Sequence, residues 1–153
     1  MKHDERAREL FRQGYNCCQA LVGAYCEEMS LSMDDALALS SSFGGGMAQM
    51  RSVCGAVSGM FMVAGMLRRD AFPADIGDPA YAEAKKAHYA FLKRLAGEFA
   101  ALNGSLSCME LLGLSSPDEE PDPAHRLDPN YKKRPCVELI GDAALLLDRH
   151  FGF

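Results

Sequence analysis

The sequence predicts an all-α protein, a single-domain helical bundle of about six or seven helices spanning residues 1–153. Three observations predict it. Apolar residues recur at steps of three and four along most of the chain, no stretch sustains the alternation or the Val, Ile and Thr richness of a strand, and capping residues and glycines bracket the periodic stretches. With 153 residues, 48% hydrophobic and 24% charged, the chain is long and apolar enough to bury one core without staples.

A first helix covers residues 3–13 and stops at Gly14. Asn16 caps a second, from Cys17 to about Met29, with Ala20, Leu21, Ala24 and Tyr25 as its apolar stripe. A short third helix runs from Met33 or Asp34 to about Ser42. Phe43, Gly44, Gly45 and Gly46 then form a loop, because each glycine costs roughly 1 kcal/mol relative to alanine inside a helix. The 16 residues between Arg51 and Arg68 carry no charge. They fall short of the ~20 that span a bilayer, and so predict a central buried helix. In it Gly55 and Gly59 lie one turn apart, and with Ala56 and Ser58 they offer a surface for close approach of another helix.

Asp78 and Pro79 start the longest helix, whose core stripe is Tyr81, Ala84, His88, Phe91, Leu95, Phe99 and Leu102 and whose end is Asn103-Gly104. Ser107 and Glu110 stand in capping-box relation at the start of a short helix closed by Gly113. Residues 115–135 hold five prolines between an acidic front and a basic rear (Lys132, Lys133, Arg134), which predicts a long connecting loop. A final helix runs from Pro135 to about His150 with Cys136, Ile140, Ala143 and Leu147 on one face.

The net charge of −5 lacks the positive field of a nucleic-acid or anionic-membrane binder. The opening MKHDERARELFRQ has no apolar signal core, so a cytoplasmic protein is expected. Six cysteines are many for a reducing compartment, where thiols serve more often as metal ligands or redox groups than as disulfides. None forms a CxxC pair.

Five of the six, Cys17, Cys18, Cys54, Cys108 and Cys136, fall in the first turn of a predicted helix. That turn presents unpaired amides and the positive end of the helix dipole, both of which stabilise a thiolate and lower a thiol pKa. Counting helices up and down places the starts near residues 16, 52 and 107 at one end of the bundle, and the long loop lets the last helix start there too. Cys17, Cys54, Cys108 and Cys136 are therefore expected to meet beneath the glycine loop. Cys18 points a third of a turn away from Cys17 and is read as accessory; Cys26 is read as core.

With these residues in view, the chain resembles the C_GCAxxG_C_C family. The likeness is carried by Asn16-Cys17 with Gln19-Ala20, the Phe43 to Gly46 run, the CGAxxG motif at Cys54 to Gly59, Cys108 before Leu111-Leu112-Gly113, and Cys136. The resemblance implies four key cysteines, a proposed redox role and members encoded beside membrane transporters. It supplies no substrate.

The leading functional reading is dithiol–disulfide exchange by two or more of Cys17, Cys54, Cys108 and Cys136 with a redox partner protein or small thiol. Two alternatives stand beside it. One is a binding module in which the same four cysteines hold zinc or an iron–sulfur cluster. The other is a structural helical homo-oligomer packed through the Gly55/Gly59 face, with its thiols as core. Gly44, Gly45 and Gly46 are a weaker candidate for an anion-binding loop, the favoured reading being a tight turn. Arg51 is read as solvating that loop, His88 as a satisfied core histidine, and Met47, Met50, Met60, Met62 and Met66 as adaptable packing.

Overall fold

A computed structural model describes residues 1–131 and 133–153, so Lys132 of the basic loop segment lies outside the described residues. It contains eight α-helices among the described residues: α1 His3–Arg12, α2 Cys17–Ala24, α3 Met33–Ser40, α4 Gly55–Leu67, α5 Tyr81–Asn103, α6 Cys108–Leu112, α7 Pro123–Leu127 and α8 Cys136–Phe151. A 3₁₀ turn, Ser41–Phe43, extends α3. No strand is present among them, and none of these helices is long and apolar enough to cross a membrane.

The helix starts follow the local chemistry. Asn16 accepts from the Gln19 amide at 2.9 Å while Gln19 Oε1 accepts from the Asn16 amide at 3.2 Å, a reciprocal cap that sets the first residue of α2 at Cys17. Ser107 Oγ accepts from the Glu110 amide at 3.3 Å, but the Glu110 carboxylate accepts from Ser105 Oγ at 2.5 Å. Ser105 Oγ in turn accepts from the Ser107 amide at 3.0 Å, so a serine relay replaces the expected capping box. Gly104 ends α5 in the left-handed region at φ +88°.

α8 packs on α1, α2, α4, α5 and α7, and α2 packs on α1, α3, α4 and α8. The centre of the bundle therefore lies with α2 and α8, with α4 against both, rather than with α4 alone. Gly55 and Gly59 are turned inward: a Cβ on Gly55 would stand 3.0 Å from Cys17 Cβ, and one on Gly59 3.3 Å from the Cys18 carbonyl oxygen. The small-residue face thus lies against α2 within the chain.

Four further expectations are corrected. α2 stops at Ala24, five residues early, because buried Tyr25 turns to donate to the Ala144 carbonyl at 2.8 Å and to Asp148 at 2.6 Å on α8. α5 is a core helix only from His88 to Phe99; Leu102 is 55% exposed. His88 is buried against Phe72 at 5.1 Å but its Nδ1 has no hydrogen-bond partner. Of the methionines, Met60 is buried while Met47 and Met50 are exposed.

Candidate functional site

Four helix starts carry the four cysteines. Cys17, Cys108 and Cys136 are the first residues of α2, α6 and α8, and Cys54 is the N-cap of α4. The starts of α4 and α6 are pinned side by side by a single antiparallel bridge between Val53 and Ser107. Across it the Cys54 amide donates to the Leu106 carbonyl at 2.8 Å and the Cys108 amide to the Ser52 carbonyl at 2.7 Å. Each hydrogen bond satisfies a helix-start amide that would otherwise be orphaned.

The four cysteines line one small void of about 20 Å³, closed by Leu111, Leu112, Leu139 and Ile140. It has room for about one water-sized particle. Above it opens a cleft of about 410 Å³ reached by Cys17, Cys108 and Cys136 but not Cys54. Cys18 is outside both; it is fully buried with Sγ 3.8 Å from Met62 Sδ, as its offset from Cys17 requires. Cys26 is buried beside Arg6 Nη2 at 3.7 Å. All six thiols are free.

The expectation of lowered thiol pKa values fails where a shift is resolved. Burial pushes Cys136 up from 9.0 to about 12, with a Cys17 thiolate adding to the rise and Arg126 and the helix-start amide working against it. Cys54 is held well above 9.0, first by burial and then by Cys17, although the Ala56 and Val57 amides favour its thiolate. Cys108 is raised by burial and Cys17 against the pull of Arg51. Cys18 is pushed up to about 12, by burial first. The helix-start amides are where the sequence placed them, but removing a thiolate from water costs more than one turn of amides returns.

The roof of the cleft is the glycine loop. Gly44 lies on Asn16, where a Cβ would stand 2.5 Å from the Asn16 side chain, and Asn16 Nδ2 donates to the Ser41 carbonyl at 2.9 Å. The turn does not end at the glycines. Gly45, Gly46, Met47, Ala48 and Gln49 all have positive φ, followed by Arg51 at +60°, and the amides of Ala48, Arg51 and Ser52 each donate six residues back. This is a left-handed coil that carries three non-glycine residues in succession, each at a cost of roughly 1–2 kcal/mol. Ala48→Gly is accordingly expected to raise stability by about 1 kcal/mol in chemical denaturation, the reverse of glycine's effect in a right-handed helix. A loss of stability would remove the left-handed assignment.

Arg51 is more than a loop-solvating charge, since its Nη1 donates to Cys108 Sγ at 3.8 Å. A second guanidinium, Arg126, also lines the cleft and stacks over Phe11 at 4.8 Å. Sequence reasoning missed Arg126 because it read residues 115–135 as a loop throughout. The signal that finds it is Asp122-Pro123, the same acid-proline start used at Asp78-Pro79: Asp122 Oδ1 accepts from the Ala124 amide at 2.9 Å and opens α7. Among the described residues no group of three or more His, Cys, Asp or Glu side chains is arranged so as to hold a metal ion.

These features define a class: an all-α protein with several free thiols drawn from separate helix starts, distinct in layout from proteins that carry both cysteines in one CxxC turn. The family model described as "Putative redox-active protein (C_GCAxxG_C_C)" matches residues 15–150, a span that contains all six cysteines, and the chain belongs to that family. Comparison with curated proteins finds no match, and comparison with solved structures finds none.

Proposed function

We propose that this protein performs dithiol–disulfide exchange, with Cys17 as the attacking thiol and Cys54 as the resolving one. The observation that carries this reading is the shared void: four free thiols line it, while the cleft above opens on Cys17 and leaves Cys54 behind it. Cys17 neighbours Cys54, Cys108 and Cys136 alike, and Gly55 lets α2 and α4 approach closely beside the pair.

In the forward step the Cys17 thiolate attacks one sulfur of an incoming disulfide, forms a mixed disulfide and expels the first thiolate. The Cys54 thiolate then attacks Cys17 Sγ and expels the second. Two electrons pass to the substrate, and the two protein protons end on the released thiols. Because Cys54 rests protonated, the second step needs its proton removed and speeds up as pH rises.

The test is intact mass and peptide mapping of reduced protein before and after a mild disulfide oxidant. The wild-type chain is expected to lose one hydrogen pair reversibly and to yield a Cys17–Cys54 cross-link. Cys17→Ser and Cys54→Ser are each expected to abolish that loss, while Cys26→Ser leaves it intact. Undiminished reversible oxidation in Cys17→Ser sinks the assignment.

A further inference from the structure

We propose that the cleft over the thiols selects small disulfides that carry carboxylates, with Arg51 and Arg126 as the carboxylate-binding pair. This rests on the exchange reading above and names its substrate class.

The first argument is access. Cys17 and Cys136 are half-buried and Cys108 is 7% exposed, all at the floor of a cleft of about 410 Å³. That volume lies in the range of roughly 300–1,000 Å³ that holds small molecules. A disulfide on a folded partner would have to carry its backbone into the same space to bring sulfur in line with Cys17.

The second argument is charge. The chain carries a net −5, yet two guanidinium groups line this cleft. Among the described residues neither Arg51 nor Arg126 has a carboxylate within 4.0 Å, and Arg51 Nε is buried without a hydrogen-bond partner. Glu120 lines the cleft too, and Asp118 and Glu119 border the adjoining groove beside Arg51. Glu119 is already committed, since its Oε2 accepts from the Ser115 amide at 2.7 Å. Arg126 is braced on the Phe11 ring rather than neutralised. Two unpaired cations beside thiols in an acidic protein are completed by an anionic ligand, and the guanidinium fork matches a carboxylate in two parallel hydrogen bonds.

The third argument is that one ligand serves both groups. A disulfide X–S–S–X whose arms end in carboxylates sets its charges on the arginines and its sulfur over Cys17. Exchange then releases two X–SH molecules and leaves the protein disulfide, so electrons and protons balance as above.

The experiment measures the rate at which reduced protein is oxidised by 3,3′-dithiodipropionate, bis(2-hydroxyethyl) disulfide and cystamine, which are anionic, neutral and cationic. Each rate is divided by that reagent's rate with a free thiol. The anionic disulfide is expected to exceed the other two by about tenfold at low salt, with the advantage shrinking as salt is added. In Arg51→Gln/Arg126→Gln the preference is expected to vanish, and in Arg51→Lys/Arg126→Lys to survive in part, which separates lost charge from lost fold. If the three reagents form the Cys17–Cys54 disulfide at equal normalised rates in the wild-type chain, the substrate class is overturned and exchange stands. If none forms it, the exchange reading falls with it.

Discussion

Reduced protein is expected to lose several kcal/mol of folding stability between pH 9 and pH 11 while remaining nearly level between pH 7 and pH 9. The sign follows from the thiols. Cys136 and Cys18 are raised from 9.0 to about 12, and Cys54 and Cys108 are raised as well, in each case chiefly by burial. Tyr25 is raised above its usual 10.0 by burial and by its contact with Asp148. Below pH 9 these groups are protonated folded and unfolded alike, so their contribution is fully present. Above pH 9 the unfolded chain releases protons that the folded chain keeps, and stability falls toward the folded pKa values. One pKa unit is worth about 1.4 kcal/mol, so a single thiol held near 12 removes roughly 2–3 kcal/mol by pH 11, and several such groups add. That is a large share of the roughly 5–15 kcal/mol of an ordinary domain. On the acid side His88 and His125, lowered mainly by burial, work the other way: the unfolded chain takes up protons first, and stability falls as pH drops below 6.5. Urea denaturation with reductant present at each pH measures both limbs. A flat profile from pH 8 to pH 11 would mean that the thiols ionise freely in the folded protein, and the burial that raises them would be wrong. Cys136→Ser should flatten the alkaline limb in part.

The legible part of this fold is what local chemistry decides. Asn16, Ser107 and Gly104 act where their side chains or their freedom from a Cβ predict, and each marks a helix boundary within a residue. The same boundaries carried the site, because a cysteine one residue past a cap lies at a helix end whatever the rest of the chain does. The illegible part depends on contacts distant in sequence. Nothing near Val53 or Ser107 announces that they pair, yet that bridge fixes Cys54 beside Cys108. Met47, Ala48 and Gln49 are ordinary right-handed residues by propensity, and only the surrounding hydrogen bonds hold them left-handed. The thiol pKa values were misjudged for the same reason: the helix dipole is local and readable, whereas the depth at which a sulfur is buried is a property of the assembled bundle. Arg51 belongs with these, since its reach to Cys108 spans 57 positions.

Gly46→Ala is expected to be the most damaging single-methyl change near the site, costing roughly 2–5 kcal/mol as the sum of a left-handed penalty and overpacking. Gly46 has φ +71°, and a Cβ there would stand 2.6 Å from the Ser52 amide nitrogen, 2.7 Å from Cys108 Cβ and 2.9 Å from the Arg51 carbonyl carbon. Two of those three atoms are backbone, which cannot swing aside as a flexible side chain does. Ser52 is also the residue whose carbonyl accepts from the Cys108 amide and whose amide donates to the Gly46 carbonyl at 2.9 Å. Pushing it outward therefore loosens the bridge between the starts of α4 and α6 and lifts the roof from Cys108. Gly104→Ala is the matched control: φ is +88° but nothing lies within 4 Å of the added Cβ, so only the conformational penalty of roughly 1–2 kcal/mol applies. Denaturation curves give the two costs, and iodoacetamide labelling gives the local consequence. Cys108 should label faster in Gly46→Ala than in Gly104→Ala, under conditions where both variants are folded. Equal costs and equal labelling would show that the loop does not press on Cys108, and the roof over the thiols would have to be redrawn. Unequal ones mean that the glycine exists to let the backbone close over a sulfur. A Cys108 held at 7% exposure on the floor of the cleft then follows from one missing methyl group.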